Sequence, residues 1–143
     1  MPFSRRGRSL TTDGWVLLPD HLHCIWTLPP DDAVFGTRWA MIKRSVTKAC
    51  GPSLYRDEWM SDSKRHRNEC TVWQRRFWEH AIRDETDFAS HMDYLHYNPV
   101  KHGLVQCVKD WPFSTFHRYV KDGVYPEHWG GIAEPTRDED YGE

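Results

Sequence analysis

An apolar run that two histidines interrupt is the feature that most constrains how this chain can fold. Residues 15–18 are Trp-Val-Leu-Leu and residues 24–26 are Cys-Ile-Trp, with His21 and His23 between them. We predict a strand over residues 14–28, because an apolar run closed by a Pro-Pro pair is typical of buried β-structure. Side chains alternate along a strand, so the two imidazoles would face one side and could bind one cation together. The alternative is two ordinary histidines beside a turn.

A helix over residues 86–98 is the second predicted element. Its apolar residues recur at the spacing of one buried helix face: Phe88, Met92 and Leu95. Thr86 is the expected N-cap, and Asp87 suits the positive end of the helix dipole. We expect Pro99 to end the helix, because proline disfavours helical geometry in the residue before it.

Tyr94 and Asn98 lie one turn apart on a flank of this helix, beside the apolar stripe. The flank therefore presents a phenol and an amide close to each other near the end of the helix. The structural alternative is a half-buried aromatic side chain followed by a C-cap. Among the remaining histidines, His91 shares this flank and is the one that merits a test as a ligand.

The middle of the chain is predicted to contain a helix over residues 36–49 and a strand over residues 71–83. The helix has an apolar stripe at the appropriate spacing, made of Trp39, Ile42, Val46 and Ala49. Residues 51–70 are polar and are expected to form a loop with a short helical turn.

Four segments, in this order and at this spacing, resemble the REP-associated tyrosine transposases, a group within the single-tyrosine HUH (His-hydrophobic-His) transposases. They are Pro-Asp-His-Leu-His at 19–23, Trp-Ala-Met-Ile-Lys at 39–43, Trp-Gln-Arg-Arg-Phe-Trp-Glu-His at 73–80 and Tyr-Leu-His-Tyr-Asn-Pro-Val at 94–100. The resemblance extends over residues 14–120. It implies an α+β fold of the ferredoxin-like type, an antiparallel sheet with helices packed on it.

The resemblance also suggests how the chain is organised. We expect a polar N-terminal segment over residues 1–13, the HUH transposase-like domain over residues 14–120, and a loop with an acidic tail over residues 121–143. Members of the family usually begin with a further strand and helix ahead of the HUH strand, and this chain is expected to lack both. A sheet without its first strand exposes an unpaired edge, which a homodimer could cover.

The resemblance implies a metal-dependent endonuclease and strand transferase that acts on single-stranded DNA beside repeat hairpins. Carried over by position, Tyr94 is the nucleophile, and His21, His23 and Asn98 are the metal ligands. Tyr97 is the alternative nucleophile, but it lies roughly 60° further round the helix, away from the amide. Imidazole nitrogens with an amide oxygen suit Mg²⁺ or Mn²⁺. Attack by the tyrosine would leave a 5′-phosphotyrosine and a free 3′-OH.

The charge distribution is compatible with a DNA partner, although the formal net charge is only −2. Residues 37–78 are rich in lysine and arginine, whereas acidic residues gather towards the C-terminus. The basic side chains predicted to contact DNA are Arg38, Lys43, Arg44, Arg75 and Arg76. Trp73 and Trp78 could stack on unpaired bases. The alternative for each is an ordinary surface charge or a core aromatic.

The cysteines and the hydropathy pattern indicate a cytoplasmic protein without a membrane segment. The four cysteines are widely separated, with no Cys-X-X-Cys pair, and no apolar run is long enough to span a bilayer. Two other functions remain open from the residues alone. The chain could be a truncated or domesticated hairpin-binding protein without catalysis, or a structural module stabilised by zinc.

Overall fold

The computed structural model describes residues 10–32, 34–67, 71–74 and 77–131. Their order along the chain is strand β1 (Thr11–Leu17), strand β2 (Leu22–Thr27), then helices α1 (Phe35–Cys50), α2 (Asp62–His66), α3 (Glu85–Lys101) and α4 (Phe116–Lys121). Three short 3₁₀ segments lie between the helices, at Gly51–Leu54, Asp57–Trp59 and Val108–Asp110. The predicted α+β class is confirmed, with an antiparallel sheet and helices.

The chain divides into two compact units. The first contains Met1–Pro30 and Glu79–Glu143, and the second contains Asp31–Trp78. Both strands, α3 and α4 belong to the first unit, whereas α1 and α2 belong to the second. All the residues predicted to bind metal or to act as the nucleophile therefore lie in the first unit.

The apolar run of the first unit folds as a hairpin rather than as the single strand predicted over residues 14–28. β1 and β2 pair antiparallel, with Leu17 opposite Leu22 and Trp15 opposite Cys24. The turn between them is closed by the Leu18 amide, which donates to the His21 carbonyl at 2.9 Å. The Pro-Asp pair favours such a turn, because proline pre-sets the backbone and aspartate tolerates turn conformations.

The sheet continues beyond β1 through residues 113–115. Val16 forms an isolated antiparallel bridge with Ser114. The Leu17 amide donates to the Phe113 carbonyl at 2.9 Å, and the Thr115 amide donates to the Trp15 carbonyl at 3.0 Å. Much of the second edge of β1 is thus covered by a segment nearly a hundred residues further along the chain.

α3 packs on the hairpin through the apolar stripe that the sequence predicts. Met92 and Leu95 are 4% and 3% exposed, and Phe88 packs against the same core. Gly14 lets the helix approach closely, because a Cβ atom there would lie 2.6 Å from the Met92 sulfur. The helix therefore packs closely over β1.

The ends of α3 differ from the prediction. The N-cap is Asp84 rather than Thr86, and its carboxylate accepts a hydrogen bond from the Asp87 amide at 2.8 Å. Pro99 does not end the helix, which continues to Lys101. Proline removes one helical hydrogen bond, that of its own missing N–H, and the helix continues for only two residues beyond it. The extra turn extends the flank that carries Tyr94.

In the second unit, α1 confirms the helix predicted over residues 36–49. Trp39, Ile42 and Val46 are half-buried, but Ala49 is exposed. The strand predicted over residues 71–83 is wrong, since the described residues there, 71–74 and 77–83, contain no strand. One of its aromatic side chains contacts a helix instead: the Trp73 indole donates to the Thr47 hydroxyl of α1 at 2.8 Å. Aromatic residues favour strands, but that preference depends on a neighbouring strand to pack against.

His96 is a buried polar residue that joins α3 to the sheet. It is 0% exposed, and its Nε2 lies 2.8 Å from the Thr115 hydroxyl. Thr115 in turn accepts from the Trp15 amide at 3.0 Å and donates to the Trp15 carbonyl at 3.3 Å. We therefore place the imidazole proton on Nε2, since the hydroxyl proton is already used. Burial, helped by the positive charges of Arg118 and His117, lowers the pKa of His96 to about 4.

This buried histidine predicts acid-sensitive stability. The folded pKa is about 4 and the unfolded value is near 6.5, so unfolding takes up a proton between these pH values. The stabilisation is complete above about pH 6.5 and falls as the pH drops towards 4, by about 3 kcal/mol. Urea unfolding of the wild type and of His96→Gln across this range measures it. We expect the variant to have the shallower dependence, and equal slopes would contradict this assignment.

Candidate active site

Two histidines of the hairpin and the tyrosine of α3 lie together at one end of the first unit. The ring centroids of His21 and His23 are 5.0 Å apart, and those of His23 and Tyr94 are 5.8 Å apart. His23 lies within β2, whereas His21 lies in the turn immediately before it. The prediction that the two imidazoles are neighbours is confirmed, but the turn brings them together rather than the face of one strand.

Asp20 orients His21. The carboxylate accepts a hydrogen bond from His21 Nδ1 at 2.6 Å, and this bond lowers the pKa of Asp20. Nδ1 therefore carries the proton, and the lone pair of the ring is on Nε2. Nε2 is enclosed and meets no hydrogen-bond partner among the described residues. A carboxylate behind one ring nitrogen and a lone pair on the other is the arrangement of a metal-ligating histidine.

The other two predicted ligands also present enclosed polar atoms. His23 Nε2 and Asn98 Oδ1 are both screened from solvent. Asn98 is 0% exposed and follows Tyr94 by one turn of α3. Its backbone carbonyl accepts from the His102 amide at 3.0 Å, which keeps this part of the helix regular. Together with His21 Nε2, these atoms would offer a divalent cation two imidazole nitrogens and an amide oxygen.

Tyr94 is half-buried and its hydroxyl has a cation beside it. Lys101 Nζ donates to the Tyr94 hydroxyl at 3.3 Å and lies 4.8 Å from the centre of the ring. A lysine seven residues further along the helix reaches the tyrosine because the two lie on the same flank. The positive charge would stabilise a phenolate oxygen at this position.

Tyr97 has a different environment. It packs against the apolar core of the first unit, with its ring centroid 6.3 Å from that of Trp129. A Cβ atom at Gly130 would lie only 3.3 Å from this ring. The side chain is therefore enclosed by the segment that follows α4, and its packing resembles that of a core aromatic residue.

His102 joins this group, although the sequence singled out only His91 among the remaining histidines. Its ring centroid lies 5.3 Å from that of His21, directly after the end of α3. The signal that could have found it is helical spacing. Tyr94, Asn98 and His102 recur every four residues, but the expected end of the helix at Asn98 hid the third member.

Cys24 shows why the site has no thiolate ligand nearby on β2. Burial raises the pKa of the Cys24 thiol to about 12, so the sulfur stays protonated at neutral pH. Cys24 follows His23 on the strand, and successive side chains point to opposite faces. The candidate ligands near the tyrosine accordingly offer nitrogen and oxygen. The oxygen suits magnesium or manganese, and manganese is the better match for the imidazoles.

The basic residues predicted to contact DNA fall in the second unit. Arg38 is paired with Asp32 at 2.6 Å, and Arg44 is exposed on α1. Lys43 Nζ donates to the Gln74 carbonyl at 2.9 Å and lies 5.9 Å from the centre of the Trp73 ring. Arg75 and Arg76 lie outside the described residues.

Comparison with known proteins gives consistent matches. A curated REP-associated tyrosine transposase of Escherichia coli (strain K12) is 48% identical over 127 residues, which are 89% of this chain and 67% of that protein. A second curated relative, from Haemophilus influenzae, is 49% identical over 115 residues, or 80% of this chain and 64% of that protein. The chain thus spans about two thirds of the length of the curated relatives it matches.

A solved structure matches the fold as well. It is the structure of a REP-associated tyrosine transposase bound to a REP hairpin, with a TM-score of 0.77 and 46% sequence identity. The match covers 97% of this chain and 72% of that chain. No family model matches the sequence. Within the described residues, no helix combines the length and the apolar character that a membrane crossing requires.

Proposed function

We propose that this chain, because it belongs to the REP-associated tyrosine transposases, cuts and rejoins single-stranded DNA beside a REP hairpin, with Tyr94 as the nucleophile. The observation that carries the proposal is the grouping of His21, His23 and Tyr94, in which the phenol ring lies beside the His23 imidazole and His23 lies beside His21. The hairpin as ligand is supported by the related protein whose solved structure contains one. We infer the same ligand for this chain.

The proposed reaction is a transesterification. The Tyr94 oxygen attacks the phosphorus of the scissile phosphodiester, the phenol proton leaves, and the bond between phosphorus and the 3′-oxygen breaks. The departing 3′-oxygen takes a proton, which leaves a free 3′-OH and a 5′-phosphotyrosine. Attack on this intermediate by a 3′-OH reverses the step and rejoins a strand. No nucleotide cofactor is required, since the phosphotyrosine conserves the ester bond.

Lys101 has a defined part in this reaction. An unperturbed phenol has a pKa near 10 and is a weak nucleophile at neutral pH. The Lys101 ammonium group, which donates to the Tyr94 hydroxyl at 3.3 Å, would stabilise negative charge on that oxygen as its proton leaves. It would stabilise the same charge again when the tyrosine departs during rejoining. Lys101 also holds the ring by lying over its face.

The metal that the family implies, Mg²⁺ or Mn²⁺, would be held by His21, His23 and Asn98. The fit rests on the enclosed His21 Nε2, whose lone pair the Asp20 hydrogen bond directs away from the carboxylate. When bound, such an ion acts as a Lewis acid on the phosphate and orients the ester. Asp20 is a positioning residue, because it acts on the ligand rather than on the DNA.

The second unit is proposed to bind the DNA backbone. Arg44 is exposed on α1. Lys43, the preceding residue of the same helix, lies over the Trp73 ring. Phosphate contacts of this kind give affinity that falls with salt and carries little sequence information. Arg38 contributes less free charge to this surface, because its guanidinium is paired with Asp32.

Replacing His21 with alanine tests the proposed chemistry. We expect cleavage of a labelled single-stranded hairpin oligonucleotide, in Mn²⁺ or Mg²⁺, to fall about 100-fold or more, because a metal ligand is lost. Hairpin binding, measured by gel shift in parallel, should change little. His128→Ala is the matched control, since His128 is exposed and lies in the segment after α4.

The outcomes separate the two candidate functions. Metal-dependent cleavage that His21→Ala loses and His128→Ala retains supports the transesterase. Tight hairpin binding by the wild type without cleavage in either metal would contradict it, and the chain would then be a hairpin-binding protein. Equal cleavage by the wild type and by His21→Ala would show that His21 does not take part in the reaction.

A further inference from the structure

A second group of potential ligands lies at the opposite end of α3 from the candidate active site. His80 precedes the helix, and Asp87 and His91 lie on its first turns. One ligand atom from each of the three lies within 4.8 Å of the others. His80 Nε2 is 2.8 Å from Asp87 Oδ2, and His91 Nδ1 is 3.0 Å from Asp87 Oδ1. The two imidazoles are thus arranged around one carboxylate.

We propose that His80, Asp87 and His91 bind a divalent transition-metal ion, with zinc preferred. Two imidazole nitrogens and a carboxylate oxygen are a common zinc donor set, and a water molecule completes the tetrahedron. Two ligands at zinc-bond distance with a tetrahedral angle between them lie about 3.3 Å apart. The separations from Asp87 to the two nitrogens, 2.8 and 3.0 Å, are a few tenths of an ångström shorter. A small outward movement of the ligands would therefore admit the ion.

The protonation states of the three residues are compatible with an ion. The hydrogen bond from His80 holds the pKa of Asp87 well below its usual range, so the carboxylate is ionised. Without metal, His80 donates an N–H to this carboxylate, whereas His91 Nδ1 donates to the Asp87 backbone carbonyl at 2.9 Å and lies 3.0 Å from the carboxylate. With metal, each neutral ring carries its proton on its other nitrogen, and the nitrogen that faces Asp87 has the lone pair.

The rings must also tilt for both lone pairs to meet one ion. The His80 and His91 rings are stacked, with centroids 4.5 Å apart and an angle of 14° between their planes. Their ligating edges already face the same carboxylate, so the change is a rotation within existing side chains. The side chains of His80, Asp87 and His91 are 28%, 10% and 16% exposed. An ion can therefore reach the three ligands from solvent, and each ligand is still packed against its neighbours.

The proposed ion would stabilise the entry to the helix that carries Tyr94. Asp87 Oδ2 already accepts from the Arg83 amide at 2.9 Å, and the Asp87 amide donates to the Asp84 carboxylate. These bonds close the first turn of α3. An ion shared with His80 would fix the preceding segment to that turn as well. The role is structural, and it is independent of the cleavage proposed for the other end of the helix.

Zinc binding by a variant that lacks His21 and His23 tests this proposal. In the full chain with His21→Ala and His23→Ala, the imidazole pair of the candidate active site is absent. After chelator treatment and dialysis against zinc, we expect stoichiometric zinc by elemental analysis and a higher melting temperature with zinc than without. Adding His91→Gln should lower zinc affinity at least about 10-fold.

Two further variants in the same background make the result decisive. His80 precedes α3, so His80→Gln removes a ligand without changing a residue of the helix, and it should lose zinc as His91→Gln does. His128→Gln removes an exposed histidine and should leave zinc binding unchanged. Absence of stoichiometric zinc in the background protein overturns the proposal. Zinc binding that is equal in the His80, His91 and His128 variants overturns it too, since the ion would then be held elsewhere.

Discussion

Replacing Tyr94 with phenylalanine is expected to abolish the covalent adduct between protein and DNA. The change removes a single oxygen, the one that Lys101 contacts at 3.3 Å, and leaves the ring beside His23. Without that oxygen no phosphotyrosine can form, so the loss should be complete rather than partial. Incubation with a hairpin oligonucleotide and Mn²⁺, followed by a denaturing gel and peptide mass spectrometry, measures the adduct and locates it.

Tyr97→Phe is the matched control for this experiment. It makes the same chemical change three residues further along the same helix, on a ring that packs beside Trp129. We expect this variant to keep the adduct at Tyr94. An adduct mapped to Tyr97 would keep the transesterification but contradict our assignment of the nucleophile. Hairpin affinity should be similar in both variants, because neither loses a charge.

Phe116→Ala is expected to have the largest effect on stability. The side chain is 0% exposed and belongs to the core cluster with Met92 and Val108. Its ring also lies 5.6 Å from that of Tyr125 and 5.9 Å from that of His96. Truncation leaves a cavity among groups that cannot all move inward, so the free energy of unfolding should fall by about 3–5 kcal/mol. This is a large part of the total stability of a typical domain.

Phe113→Ala serves as the comparison for the core substitution. Phe113 is 52% exposed, and its contribution to the sheet is its backbone carbonyl, which accepts from the Leu17 amide. The same truncation there should cost less than about 1 kcal/mol. Urea denaturation of both variants at neutral pH gives the two values. Equal losses would mean that Phe116 is not central to this core.

Local patterns were sufficient for the main helices and for the site candidates. The stripe of Met92 and Leu95 predicted α3, because a helix buries residues at its own period regardless of the rest of the fold. The His-Leu-His triplet and the Tyr94–Asn98 pair each had chemical meaning at short range. Their combined order supported the family, which the relatives of known sequence then established.

Other features depended on residues distant in the chain. The strand predicted over residues 71–83 failed because a strand requires a partner, and the local sequence does not specify one. Pro99 was expected to end α3, but the helix continues by one turn to Lys101. That turn is what carries Lys101 to the Tyr94 hydroxyl and places His102 beside His21.

The sequence by itself determined the helix periods and the identity of the candidate site side chains. These depend on interactions between residues that are close along the chain. Only the tertiary structure decided that His23 meets Tyr94, and that His80 meets Asp87 and His91. Such meetings follow from packing α3 on β1 and closing the loops between them. That packing is a property of the whole core rather than of any one segment.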